Sequence, residues 1–423
     1  MTLDRRDLLK GLSGIAASLA FTRLNGGPVA AAAVKAASAG LPRKQDFDIS
    51  DGFTYLNAAY THPIPRPAAD AARAYLARRN KLAMPRPGSG GGAGEGFNAK
   101  ALFAELINAK PSEIAYVPNT STGENLVVSA LALDRPTDFN VVTDWLHFDG
   151  ALVHLLELRR AGLDVRIVRP TPDYRIAFDD VARVVDRKTK LVELSSTTMY
   201  NGFQHDLKAV CELAHAHGAF VYADIIHTAG AEPFDVKASG VDFAACSSFK
   251  WLMGDYGLGF LYARDDLLER IRRPVVGYYQ AATMAGHEPP FDNAGASEPV
   301  SWTLGTDATS HFEAGSIGGA LGAGLAASLA YVKDVGVANI QAYRKPLLQR
   351  LRDEVPRRGF TCVTPPESTA SIITFARKGL AASDTPRKLA RARVDVRIAD
   401  HWMRVSPSIY NDMADVDRLL EAL

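Results

Sequence analysis

Seven short apolar runs, each bounded by turn residues, punctuate the chain: Ile114–Pro118, Asn140–Thr143, Val165–Val168, Leu191–Ser195, Phe220–Ala223, Phe243–Cys246 and Gly259–Ala263. They are continuous rather than alternating, as strands are when both faces of a sheet are covered. Helix-period stretches separate most of them, among them Gly123–Leu133, Ala151–Ala161, Phe178–Val185 and Leu207–His217. Strand and helix alternating at this spacing require crossover connections. They predict an α/β fold with a mainly parallel seven-stranded sheet and helices on both faces.

The pattern changes near Ser316. A long Ala/Gly-rich stretch, Ser316–Val335, and a second helical one, Gln341–Val355, lead to strand-like Ala370–Ala376, Val394–Ile398 and Met403–Ser406 and a closing helix, Met413–Ala422. The expected organisation is a large α/β domain over 41–320 and a smaller C-terminal α+β domain over 321–423, with a Gly-rich loop at Pro85–Gly96. A length of 423 residues suffices for both. Charge is balanced, 48 Lys+Arg against 47 Asp+Glu, so the basic excess of a dedicated nucleic-acid or membrane-surface binder is missing. Three cysteines, Cys211, Cys246 and Cys362, can build neither a disulfide framework nor a four-Cys metal site.

Residues 1–40 read as an address. Arg5-Arg6-Asp7-Leu8-Leu9-Lys10 precedes a weakly apolar run, Gly11–Phe21, and an Ala-rich zone, Ala30–Ala39. That is the order of a charged region, an apolar region and a small-residue cleavage zone. The run is too short to span a bilayer, which needs roughly 20 residues. The paired arginines match a twin-arginine export signal, although Leu stands where Phe is commoner. The expectation is a periplasmic protein, exported folded by the twin-arginine machinery, with its mature start between Val34 and Gly40. A chance Arg-Arg in a frayed terminus is the alternative.

In a sheet of this kind ligands sit beyond the carboxyl ends of the strands. The residues there are Asn119-Thr120-Ser121-Thr122-Gly123, His147, Ser195–Thr198, Asp224–His227 and Ser247–Lys250. They comprise a hydroxyl-rich helix start, imidazoles, an acid and a lysine. No glycosidase-type carboxylate pair and no Gly-x-Ser-x-Gly elbow accompany them.

Asp224-Ile225-Ile226-His227 and Ser247-Ser248-Phe249-Lys250, with Gly254, Gly257 and Gly259 after them, carry a family resemblance. Joined to Tyr55-Leu56-Asn57-Ala58-Ala59 and to Arg404-Val405-Ser406 with Tyr410-Asn411, this order is similar to the class V aminotransferase-like family of pyridoxal-phosphate (PLP) enzymes, of fold type I. That family includes cysteine desulfurases, kynureninases and isopenicillin N epimerase-like enzymes. The likeness spans nearly all of the mature chain.

The resemblance implies PLP held as an aldimine on Lys250, with Asp224 keeping the pyridine nitrogen protonated so that the ring acts as an electron sink. It implies His227 near the phenolic oxygen and His147 stacked on the ring. Thr120, Ser121 and Thr122 would hold the phosphate at a helix start, with Ser247 as a second hydroxyl. Phe312-Glu313-Ala314-Gly315-Ser316 resembles a run in which the hydroxyl reaches the neighbouring subunit's phosphate, so Ser316 implies a homodimer. Arg404 would fork around the carboxylate of an amino-acid-like substrate. Phe249 stands where many relatives have His or Tyr, and His311 where Arg often precedes Phe-Glu. Thr198 falls near a position where relatives carry an Asn.

His205, Cys211, His215 and His217 are the rival grouping. Spread along one helix and its approach, they read as a polar helix face, and no metal is expected. Desulfurases carry a cysteine shortly before the C-terminal Arg, whereas Ser383–His401 contains none. Transaminase, epimerase and lyase remain open, with a kynureninase-like hydrolase or a cofactor-binding protein without turnover as alternatives.

Overall fold

The computed structural model describes residues 40–81, 97–286 and 298–423. The export segment up to residue 39 and the Pro85–Gly96 stretch lie outside the described residues.

The seven runs form one sheet: β1 (Ile114–Val117), β2 (Asn140–Asp144), β3 (Asp164–Val168), β4 (Thr189–Ser195), β5 (Phe220–Asp224), β6 (Phe243–Ser247) and β7 (Gly259–Ala263). Their spatial order is β1-β7-β6-β5-β4-β2-β3. Neighbours from β6 through β3 run parallel, whereas β7 is antiparallel to both β6 and β1. The cause is the connection: β6 returns into β7 through a short excursion, without the crossover helix a parallel neighbour requires. Alternate residues feed opposite faces. Val221 and Ala223 join one apolar cluster with Phe103, Phe260 and Leu325, while Phe220 and Tyr222 join another with Val127, Leu155 and Leu261. Each fully buried aliphatic side chain contributes roughly 1.5–3 kcal/mol, so the sheet is held from both sides.

The helices that matter for the site are α1 (Arg66–Asn80), α2 (Thr120–Ala130), α3 (Asp149–Arg160), α4 (Leu207–Ala216), α5 (Gly319–Val335), α6 (Val337–Glu354) and α7 (Met413–Ala422). The long Ala/Gly-rich helix begins at Gly319 rather than Ser316, because Gly318 is extended at its N-cap. Its small residues let α1 approach: a Cβ on Gly319 would overlap the Tyr75 hydroxyl.

C-terminal to α5, a four-stranded antiparallel sheet has the order β8 (Thr361–Cys362), β9 (Ile373–Ala376), β11 (Trp402–Val405), β10 (Arg397–Ile398). The chain's beginning joins it. Thr54–Tyr55 pairs in parallel with Val394–Asp395, and Asn57 bridges Ser406. Residues that the sequence assigns to the large domain therefore strap the small one.

Candidate active site

Lys250 lies on the excursion between β6 and β7, and Ser248 holds that excursion tight. The Ser248 hydroxyl is 2.7 Å from the carbonyl oxygens of both Asp255 and Leu258, and its N–H donates to Leu258 O at 3.0 Å. Met253 N donates to Lys250 O at 2.8 Å, and Gly257 turns the chain at φ 84°. With its backbone pinned, Lys250 puts Nζ 3.0 Å from His227 Nε2. Burial lowers the lysine pKa to about 8; Asp224 opposes this and Arg404 adds to it. A fraction of the amine is then free at neutral pH, which a nucleophilic lysine needs. His227 is pushed well below the usual imidazole range by burial, then by Lys250 and Arg404. It is neutral, accepts from Lys250 at Nε2, and leaves Nδ1 buried without a protein partner.

Asp224 ends β5, opposite Ser195 of β4 and Ala245 of β6. Its Oδ1 accepts from Ile226 N at 2.9 Å. Burial raises its pKa despite that bond and the nearby His147 and Lys250, so the carboxylate calls for a further cation. Beyond the end of β1, Asn119 caps α2: its Oδ1 accepts from Thr122 N at 2.9 Å and from Thr122 Oγ1 at 3.1 Å. Ser247 Oγ accepts from Thr120 N at 2.9 Å. Gly123 is the reason the helix can come so close, since a Cβ there would stand 3.0 Å from Ala245 Cβ. Thr120, Ser121, Thr122 and Ser247 thus form one hydroxyl-lined helix start, the kind that seats a phosphate.

Arg404, on β11, reaches in from the small domain. It is 5% exposed, donates from Nη1 to Met199 O at 2.9 Å, and leaves Nε without a partner. Burial, then Arg397, lowers its pKa to about 10. Among the described residues no carboxylate pairs with it. His147 lies in the turn before α3; it is fully buried and its Nδ1 is 2.8 Å from Ser195 Oγ.

The remaining sequence assignments scatter. Ser316 is exposed and bonded to Tyr279 Oη at 2.9 Å, in a cleft shared with Thr122 and Gly257. Phe249 stacks on Tyr256, with centroids 4.3 Å apart. His311 is buried, and Glu313 beside it accepts from Tyr116 N at 2.7 Å, so the Phe-Glu pair anchors β1. Thr198 bonds Asn201 at 2.7 Å. The rival grouping is not simply a polar helix face: His205 meets Asp144 at 3.1 Å and His215 meets Asp242 at 2.8 Å, while Cys211 is buried. Buried acids at strand ends, Asp144 and Asp242, hold these two imidazoles.

Three residues escaped the sequence reading: Glu124, Glu193 and His154. Glu193 is the centre of an otherwise apolar strand run and is 0% exposed, a signal that was visible in Leu191–Ser195.

Residues 54–419 match the aminotransferase class-V family. The chain belongs to that family. It is 28% identical over 371 residues to a probable cysteine desulfurase of Methanothermobacter thermautotrophicus, covering 85% of this chain and 86% of the relative. To a cysteine desulfurase of Haloferax volcanii it is 26% identical over 345 residues, covering 77% and 78%. Its fold is similar to that of a cysteine desulfurase from Thermococcus onnurineus, with TM-score 0.76 and 21% identity over 90% of this chain and 96% of the other. A cystine C–S lyase aligns with TM-score 0.69 and 21% identity over 88% and 97%.

The class V fold type I enzyme depends on PLP, and the residues present fit it. Lys250 offers the amine for the covalent link, Asp224 a carboxylate lacking a cation, Thr120–Thr122 and Ser247 a phosphate seat, and His227 a buried nitrogen without a partner. When bound, PLP supplies an electron sink for carbanion chemistry at the substrate's α-carbon. The chain's own part is proton and charge management. Lys250 can hold or yield a proton at Nζ near neutral pH, Asp224 would supply a carboxylate to the cofactor's ring nitrogen, and buried Arg404 offers a cation for a carboxylate.

Proposed function

We propose that this enzyme transforms an α-amino acid or an amino-acid-derived metabolite at its α-carbon, by transamination, epimerisation or elimination, with Lys250 moving the proton and no protein thiol taking part. The observation that carries this reading is Lys250 itself. It is an amine with pKa near 8, 3.0 Å from a neutral His227, between Asp224 and a buried Arg404 that lacks a carboxylate. The cysteines support the second half. Cys246 is fully buried with its thiol pushed far up, Cys211 is raised to about 12, and Cys362 is raised by burial and tied to Arg352 and Thr364. None is an available thiolate, although curated relatives are desulfurases.

The working form is a C2 homodimer in which exposed Ser316 completes the second subunit's phosphate seat. The twin arginines at Arg5-Arg6 send the folded, cofactor-loaded protein to the periplasm. The test is the absorbance spectrum of purified holoenzyme against a panel of amino acids and peptides, with sulfide release from cysteine measured alongside. Spectral shifts without sulfide agree with the proposal. Rapid persulfide formation on the protein overturns it.

A further inference from the structure

Three ionisable side chains lead from His147 into the large domain and out again. Glu193, in the middle of β4, has Oε1 3.5 Å from His147 Nε2. Glu124, on α2, closes against it: one ligand atom each from Glu124, His147 and Glu193 lies within 4.8 Å of the others. Glu124 Oε1 is then 2.8 Å from Nδ1 of His154 on α3, whose side chain is 17% exposed. The series therefore runs from the cofactor region toward the solvent in steps of 3.5 Å, at most 4.8 Å and 2.8 Å, of which only the last is a formed hydrogen bond.

Its electrostatics need an answer. Both glutamates are buried, at 3% and 0% exposure, and among the described residues neither pairs with a lysine or arginine. Both oxygens of Glu193 and Nε2 of His147 have no hydrogen-bond partner. The other titratable groups around them are Asp224, an acid, and Tyr222, whose hydroxyl donates to Thr120 O. Two adjacent carboxylates without a counter-ion cannot both stay ionised in such a place. They must take up a proton or a cation. Burial, the largest cause, raises each to about 8, so a proton costs little at neutral pH. Once protonated, Glu193 donates toward His147 Nε2, and His147 Nδ1–H donates to Ser195 Oγ. His147 Nε2 and one Glu193 oxygen then have a partner, and the other Glu193 oxygen faces Glu124.

We propose that Glu193 and Glu124 form a proton-holding acid pair that connects His147 at the cofactor to His154 at the surface. It rests on the family reading that sets His147 against the cofactor ring. When His147 Nε2 takes the Glu193 proton, Glu193 recovers one from Glu124. Glu124 takes the Nδ1 proton of His154 as water delivers one to His154 Nε2. One proton moves inward and no electrons move.

The infrared C=O stretch of protonated carboxyl groups in the purified full chain tests the pair at neutral pH. It needs no substrate and no cofactor, so it stands apart from the PLP reading, whose own failure would show as an unchanged spectrum in Lys250→Ala. The expected result is a protonated-carboxyl band that weakens in Glu193→Gln and again in Glu124→Gln. No such band, or one that neither variant alters, overturns the pair. Stoichiometric metal in the purified protein also overturns it, because a cation would then hold both glutamates ionised. The outward link is read by a pH jump on holoenzyme, following the cofactor absorbance. His154→Ala, at a partly exposed position, is expected to slow the response about tenfold. An unchanged rate means that protons enter through the mouth of the site, and the path is wrong.

Discussion

The site has a front and a back, and burial drives them in opposite directions. In front, Lys250, His227 and Arg404 are bases crowded together, and burial lowers all three. Behind His147, Glu124 and Glu193 are acids crowded together, and burial raises both. Neither group contains enough opposite charge to neutralise itself. The difference is what can arrive. The front opens toward the cofactor and a substrate carboxylate, so its excess cation is a recognition device. The back is closed, and it must settle its charge with protons.

Replacing Lys250 breaks the front outright. Lys250→Ala is expected to remove the absorbance band of covalently held cofactor and to lower turnover by roughly 10²–10⁴-fold or more, while PLP still binds without the link. An unchanged spectrum would reassign the lysine. Arg404→Ala comes next. Losing a buried charge-assisted fork costs about 2–4 kcal/mol, a thirtyfold to thousandfold loss of affinity for an α-amino acid with PLP retained. If titration finds affinity unchanged, the substrate carries no free α-carboxylate at that position.

Smaller effects sharpen the contrast. In cofactor-free protein the two regions give opposite pH slopes of stability. The back acids bind more protons folded than unfolded between 4.5 and about 8, so melting temperature falls as pH rises through that window. Lys250 binds fewer protons folded than unfolded between about 8 and 10.5, so its contribution makes stability rise there. Glu193→Gln should flatten the first limb and leave the second, and Lys250→Ala should do the reverse. Melting curves across the range decide between them. Ser247→Ala leaves the Thr120 N–H without its acceptor and is expected to weaken PLP about fivefold, for roughly 1 kcal/mol. Ser316→Ala should loosen PLP by no more than that, and only under conditions where the protein is dimeric. Equilibrium dialysis of PLP reads both.

Much of the front was legible in the chain. Lys250, Asp224, His227 and the Thr120–Thr122 turn follow directly on apolar runs, and in a parallel sheet every such position faces the same edge. The back was not read, although Glu193 sits visibly within a strand run. Glu124 and His154 lie on two different helices, and no periodicity on either points to the other. His147 was legible as a candidate beyond a strand end, and its seat in a turn follows from the end of β2 at Asp144 and the start of α3 at Asp149.

By itself the sequence determined the sheet, its helical cover and the identity of the side chains at its carboxyl edge, because hydrophobic periodicity and turn residues act over a few positions. The tertiary structure decided what could not be local. It strapped Thr54–Tyr55 to Val394–Asp395, brought Arg404 across from the small domain, turned β7 against its neighbours, and closed Glu124 on Glu193. Those contacts join residues far apart in the chain, and their free energies depend on the burial that the whole fold creates.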